Sequence, residues 1–270
     1  MRHLLLCLTV CLVFISGSSS TEPQGSTNFR DVPDNDAPLP SEDAMERLVK
    51  NDPIAFLETC IRRYDREVKG YTTTLRKQER LEGRLQQSEL IDVAFREDPF
   101  SVLMRWRKGA ERASAVLYVK GQNGDQLLVR PAGILAVAGI VTRDPNGSDA
   151  KKSGRYPLTE FGIKIGMQRT LASWQKARKD ENLHIEYLGV KRIKEAGDRP
   201  CWVLKRTRYK KPEEDGITEL TLYIDKENWL QVGNVLKGEE GRLIGEYFFR
   251  DIKLNPDFKP DTFTREALKR

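Results

Sequence analysis

Histidine and cysteine are scarce in this chain, at two and four of its 270 residues. So few histidines exclude a histidine-rich metal centre, and so few cysteines exclude a dense disulfide scaffold. Zinc needs three or four suitable ligands, and no recognised ligand spacing occurs. The sequence also lacks a Gly-x-Ser-x-Gly elbow, a papain-like cysteine context, a phosphate-binding loop ending in Lys-Ser or Lys-Thr, and any repeat of fixed period. No cofactor and no metal are implied. Neither sign of charge dominates: 46 Lys and Arg stand against 40 Asp and Glu, interspersed, for a net +6. That pattern describes a solvated, mildly basic exterior. With 39% hydrophobic residues the chain can bury a sizeable core.

The first residues, Met1-Arg2-His3, precede an uncharged apolar run from Leu4 to Ile15 and the small residues Ser16-Gly17-Ser18-Ser19-Ser20. Basic start, apolar middle and small-residue end are the pattern of a secretory signal peptide, expected over residues 1–20. A membrane anchor is the competing reading, but crossing a bilayer takes about 20 apolar residues and this run is shorter. Cys7 and Cys11 lie inside the run, not after it, so lipid anchoring is not expected. The protein is therefore expected to be exported, to a periplasmic or extracellular space, with no transmembrane segment in the mature chain. Loss of Arg2 lowers the charge to +5 and leaves His184, Cys60 and Cys201. In an oxidising compartment Cys60 and Cys201 could form a disulfide or remain two separate buried thiols.

Residues 21–40 are rich in Pro, Asp, Asn, Ser and Gly and read as a disordered linker. A single domain is expected over 41–270. It begins with a short helix from Ser41 to Lys50. Asp52-Pro53 is a second helix start, and Ile54, Leu57, Ile61, Tyr64 and Val68 then share one face. From Tyr71 the period becomes two, with strands expected near 71–81, 85–96, 100–107, 113–120 and 125–130. Phe100, Val102, Met104 and Trp106 share a dry face, opposed by a wet face with Ser101, Arg105 and Arg107. A helical insertion is expected around 157–179, after the small apolar stretch Gly133 to Val141. Strand patterns resume near 183–194, 200–210, 217–225, 229–237 and 242–254, the last two joined at Gly238-Glu239-Glu240-Gly241. The expected fold is mostly β with α: one curved antiparallel sheet, an incomplete half-open barrel, with helices packed on or closing its concave face.

Catalytic residues are hard to assemble. His184 lies in the alternating run Leu183 to Tyr187 and reads as a solvent-facing strand residue, although a hydrolase could pair it with Glu or Asp. Glu213-Glu214-Asp215 and Glu239-Glu240 fall in turns beside glycine, where solvated charge is the ordinary expectation. The basic run Lys205 to Lys211 alternates between faces, so it reads as a strand emerging into solvent. An anionic lipid surface is the specific partner it could meet, and nucleic acid is not expected.

Tyr71 to Gly83, Arg96 to Gly121, Arg155-Tyr156-Pro157-Leu158-Thr159 with Gly162, and Tyr247 to Phe263 with Leu254-Asn255 together resemble domain of unknown function family 1571, a group of uncharacterised secreted bacterial proteins. That family carries no assigned reaction. More distantly, the helix before the first strand, the Arg96, Pro99, Phe100 and Trp106 segment, and the strands through Asp225, Tyr247 and Asn255 are similar to the lipoprotein-carrier superfamily of LolA and LolB. That resemblance implies an incomplete barrel holding acyl chains, and for Arg96 a lid or polar-contact role.

A half-barrel must fill its concavity or admit an apolar ligand. The candidate lining is Phe95, Phe100, Val102, Met104 and Trp106 from the early strands, Leu117 and Val119 from the next, and Leu222, Ile224, Tyr247 and Phe249 from the late ones. The leading expectation is a non-enzymatic protein binding a lipid, lipoprotein acyl chain or other hydrophobic ligand there. An envelope sensor or scaffold with a filled barrel, binding another protein, is the alternative. An open apolar concavity favours the first, and an exposed patch at Gly133 to Val141 favours the second. Oligomeric state is not legible.

Overall fold

Two capped helices lead into the sheet in the computed structural model, which describes residues 37–269. The expected signal segment and most of the expected linker lie outside that range, although Leu39 at the linker's end packs against the core. In α1 (Glu42–Asn51) the Ser41 hydroxyl accepts from the Ala44 N–H, and Met45 and Val49 turn inward. In α2 (Pro53–Glu67) Asp52 accepts from Ala55 and Pro53 occupies the first turn. Proline is tolerated there because that N–H would have no helical partner. Ile54, Leu57, Ile61 and Tyr64 form the buried face, as their spacing predicts.

Twelve strands follow: β1 (Gly70–Leu81), β2 (Arg84–Leu85), β3 (Glu89–Arg96), β4 (Ser101–Lys108), β5 (Ala113–Val119), β6 (Leu127–Pro131) and β7 (Val141–Arg143), then β8 (His184–Ile193), β9 (Arg199–Thr207), β10 (Glu219–Asp225), β11 (Gln231–Lys237) and β12 (Leu243–Leu254). Between β7 and β8 come a four-residue turn of helix, α3 (Ser148–Lys151), and the long α4 (Ile163–Lys179). The expected insertion at 157–179 thus contains α4 and a short 3-10 turn at Leu158–Glu160. All pairings are antiparallel, in the order β7-β6-β5-β4-β3-β1-β12-β11-β10-β9-β8, with β2 an extra arm on β1. Edges remain at β7 and β8, so the sheet does not close into a barrel. An extra residue in each of β5, β8, β11 and β12 breaks the ladder locally, and such bulges bend a sheet.

Helices α1, α2 and α4 cover one face. Phe56 of α2 meets Trp202 of β9 edge-on at 5.2 Å, and the Ile163 N–H at the start of α4 donates to the Tyr71 hydroxyl at 3.1 Å. Asn255 ties the end of α2 to the end of β12: its side-chain oxygen accepts from Lys69 and Gly70, and its amide donates to the Glu67 carbonyl. The opposite face of β4–β6 is not the wet surface the alternation suggests. A second apolar cluster of Leu103, Leu117, Val119 and Leu128 is covered there by Phe263, Ala267 and Leu268 of the C-terminal segment. Arg105 and Arg130 fasten that segment by donating to the Ala267 and Leu268 carbonyls.

Candidate functional site

The helix-covered face carries a chain of aromatic rings. Phe95 stacks on Tyr71 at 4.8 Å and meets Phe100 edge-on at 5.4 Å. Phe100 in turn meets Tyr118 at 5.9 Å, and Phe161, just before α4, lies between Phe95 and Phe249 at 6.1 and 6.3 Å. Phe95, Val102, Met104, Leu222, Ile224 and Phe249 are brought together in the main core, with Phe100, Trp106 and Tyr247 half-buried at its margin. Ile163, Met167 and Trp174 of α4 are inserted among them with almost no exposure. These side chains form one continuous buried cluster between the helices and the sheet.

Leu117 and Val119 are not part of this face. Val102 pairs with Tyr118 and Leu103 with Leu117, so the residues of β5 that share the face of Val102 are Val116 and Tyr118. Leu117 and Val119 belong to the opposite cluster under the C-terminal segment. Arg96 is likewise on that side, and its expected lid role is not the one the geometry gives it. Its guanidinium donates to the Ser101 hydroxyl and lies 4.7 Å from the Phe263 ring, holding the C-terminal segment down.

A buried ion cluster closes one margin of the aromatic face. The Lys77 ammonium lies 3.0 Å from Glu79 and 2.9 Å from Glu89, its partner across β1 and β3. Burial alone would push Lys77 down, but the two carboxylates outweigh it and the net shift is upward. Trp106 Nε1 donates to Glu89 at 2.9 Å and the Tyr247 hydroxyl to Glu79 at 2.6 Å. Burial raises the Tyr247 phenol well above its ordinary value, and Glu79 adds to the rise. Lys77 is thus a charged, paired group and not an available base. Sequence reasoning passed over this cluster, although one signal was present. Tyr71, Thr73, Leu75, Lys77 and Glu79 share one strand face, and charges on a dry face call for partners.

His184 sits exposed on the edge strand β8, paired through its backbone with Thr207, and its imidazole makes no hydrogen bond or ion pair among the described residues. No three His, Cys, Asp or Glu side chains among the described residues could hold a metal ion. Cys60 and Cys201 are free and buried. Cys201 alternates with Trp202, which stands beneath α2, so Cys201 points away from the helix that carries Cys60, and of the two alternatives the structure has the separate buried thiols. Burial pushes the Cys201 thiol up to about 12. The first two cations of the basic run are paired: Lys205 meets Glu219 at 2.9 Å, and Arg206, 1% exposed, meets Glu213 at 2.9 Å and lies over Tyr209. Glu213 is therefore an ion-pair partner where solvated charge was expected, and the Glu214 carboxylate accepts from the Tyr156 hydroxyl. No helix among the described residues is long and apolar enough to cross a membrane.

Residues 68–268 match the model of a family described as protein of unknown function, DUF1571. No curated protein matches the chain. Solved structures resemble it at low identity. MucB in the Pseudomonas aeruginosa MucA/MucB complex is among them, at 15% identity over 80% of this chain and 62% of that one, TM-score 0.46. The Mycobacterium tuberculosis lipoprotein LppX aligns at 14% identity over 77% and 99%, TM-score 0.43. A LolA superfamily protein from Nitrosomonas europaea aligns at 12% over 78% and 98%, TM-score 0.34.

Proposed function

The chain belongs to the DUF1571 family, whose description assigns no activity, and we propose that it is an exported, non-enzymatic binding protein that engages a protein partner of the cell envelope through its outer surface. The observation that carries this reading is the segment between β6 and β7. Gly133 to Gly139 is uncharged and exposed throughout, with Ile134 89%, Leu135 65% and Val137 93% accessible. Burying three such side chains is worth roughly 5 kcal/mol in total, which a partner's apolar surface would gain. The helix-covered face supports the same reading, because buried side chains of α2, α4 and the sheet pack into one cluster there.

The test is a comparison of the mature protein with an Ile134→Ser/Val137→Ser variant. Both positions are exposed, so the melting temperature should not change. A single envelope protein that cross-links to the first in stoichiometric amount and not to the second supports the reading. Equal cross-linking of both proteins, or none, removes it.

A carrier reading survives in one observation. Gly162, at φ 141°, leads into α4 in a backbone conformation that favours glycine, with the Phe95 ring in ordinary contact distance at 3.4 Å from where a Cβ would stand. The rim of α4 is held by the exposed contacts Lys164 to Asp65 and Gln175 to Glu58. A helix that swings on Gly162 would open the aromatic face to a lipid. Saturable binding of a fluorescent fatty-acyl probe to the purified mature protein would favour this second reading; the first predicts none.

A further inference from the structure

We propose that the cleft between the β1–β2 turn and the segment following α3 is a binding site for a ligand bearing a phosphate group. The cleft has a volume of about 450 Å3 and is lined by Arg80, Lys151, Lys152, Arg155 and Arg242, with Glu82 as the carboxylate in its wall. This volume falls in the range of small-molecule sites, roughly 300–1,000 Å3. The cations come from three separate stretches of chain, so their convergence is a product of the fold. Arg80 is oriented by neutral acceptors: Nε donates to the Leu243 carbonyl and Nη1 to the Gly83 carbonyl, each at 2.9 Å. Its position is fixed while its charge stays uncompensated.

Arg80, Lys151, Lys152 and Arg242 form no ion pair among the described residues. Arg76 and Lys77, the cations that precede Arg80 on the same strand, are both paired, with Glu246 and with Glu79 and Glu89. Like charges facing one cleft repel, and a concave wall of low dielectric focuses their field on whatever enters. A singly charged anion would satisfy little of this surplus, whereas a phosphate ester or diphosphate brings two or more charges and several acceptor oxygens. Arginine forks and lysine ammoniums are the donors such oxygens take. Pro145, Pro157 and Ile244 add an apolar wall for the group that carries the phosphate. The phosphate belongs either to the headgroup of an anionic phospholipid or to a soluble phosphorylated molecule. This inference is independent of the segment Gly133 to Gly139.

The experiment titrates the mature protein with inorganic pyrophosphate at low ionic strength by calorimetry. In parallel it is co-sedimented with vesicles of phosphatidylglycerol in phosphatidylcholine. The variants are Lys151→Ala/Lys152→Ala, both exposed, and the control Lys191→Ala/Lys194→Ala, which removes equal charge far along the chain. At about one basic side chain's worth of surface attraction each, loss of the cleft pair should weaken binding about 30-fold, and loss of the control pair by less than about threefold. Pyrophosphate binding that depends on the cleft pair supports a soluble phosphate. Vesicle binding with the same dependence supports a headgroup. Absence of both, or equal weakening by the two variants, overturns the proposal.

Discussion

Truncating Trp174 measures whether the helix-covered face is a packed interior or a ligand space in its closed state. Trp174 of α4 is fully buried and belongs to the main core cluster. Removing a buried tryptophan from packed surroundings costs about 3–5 kcal/mol, from lost transfer energy plus the cavity left behind. The indole Nε1 has no acceptor among the described residues, so the wild type already carries the cost of one unpaired buried N–H. Its loss returns about 1 kcal/mol and sets the expectation for Trp174→Ala near the lower end, at about 3 kcal/mol. For a domain of this size that is a fall of about 6–12 °C in melting temperature. Trp174→Phe keeps the ring and removes the unpaired N–H, so it should stay within about 1.5 kcal/mol of the wild type. Urea unfolding followed by circular dichroism separates the two. A ligand chamber would already have room to spare. Trp174→Ala losing less than about 1 kcal/mol, with acyl-probe binding intact, would therefore refute the filled-interior argument.

Other consequences can be checked with the same preparations. Glu213→Gln leaves the Arg206 guanidinium buried without its carboxylate and should cost about 2–3 kcal/mol in urea unfolding, whereas Glu214→Gln at the exposed neighbour should cost well under about 1 kcal/mol. Glu46 is held below its ordinary value of 4.5: burial opposes this, but hydrogen bonds from Trp202 and Tyr187 outweigh it. A carboxylate lowered by folding contributes stability above the unfolded value and loses it as pH falls through the folded one. The urea midpoint should therefore drop as pH falls below about 4.5, and Glu46→Gln should flatten that slope. Thiol titration of the unfolded, unreduced mature protein should find two reactive groups, and the native protein should react slowly at both; a count of zero would mean that Cys60 and Cys201 had paired. Arg96→Ala should increase hydrogen exchange in residues 258–268 and leave α4 unchanged, the reverse of what a lid residue would do.

How far the sequence could be read depended on how local each signal was. Helices α1 and α2 were legible because their caps, Ser41 and Asp52-Pro53, lie within three residues of the donors they satisfy. Most strands were legible from alternation and turns. Strand β7 was not, since three residues at an edge carry no period. The face of β5 was misread for a physical reason: its last five residues are apolar and buried on both sides, so alternation has no phase, and only the register with β4 decides it. Arg96 and the supposedly wet face of β4 failed together, because the cover arrives from residues 258–268, far along the chain. Nine of the residues named as a lining lie in or against the main core cluster, where alternation along each strand places them, while the ion cluster and the basic cleft depend on contacts between distant strands and turns. The expected ligand space was a statement about volume, which a pattern of apolar residues cannot distinguish from a core.

The joint at the middle of the sheet has a consequence for how the protein comes to be folded. Strands β1 to β7 are neighbours in sequence, as are β8 to β12, so each half can zip through short hairpins. Among the described residues the strand pairing that joins the two is β1 against β12, with contacts such as that from the Thr73 hydroxyl to the Arg250 carbonyl, 177 residues apart. Loop-closure entropy makes such a contact late and slow. A chain lacking residues 245–268 can complete neither that stitch nor the cover over Leu103 and Leu117. The joining of the two halves therefore waits on the arrival of β12, and until then each half has to hold its own hairpin pairings.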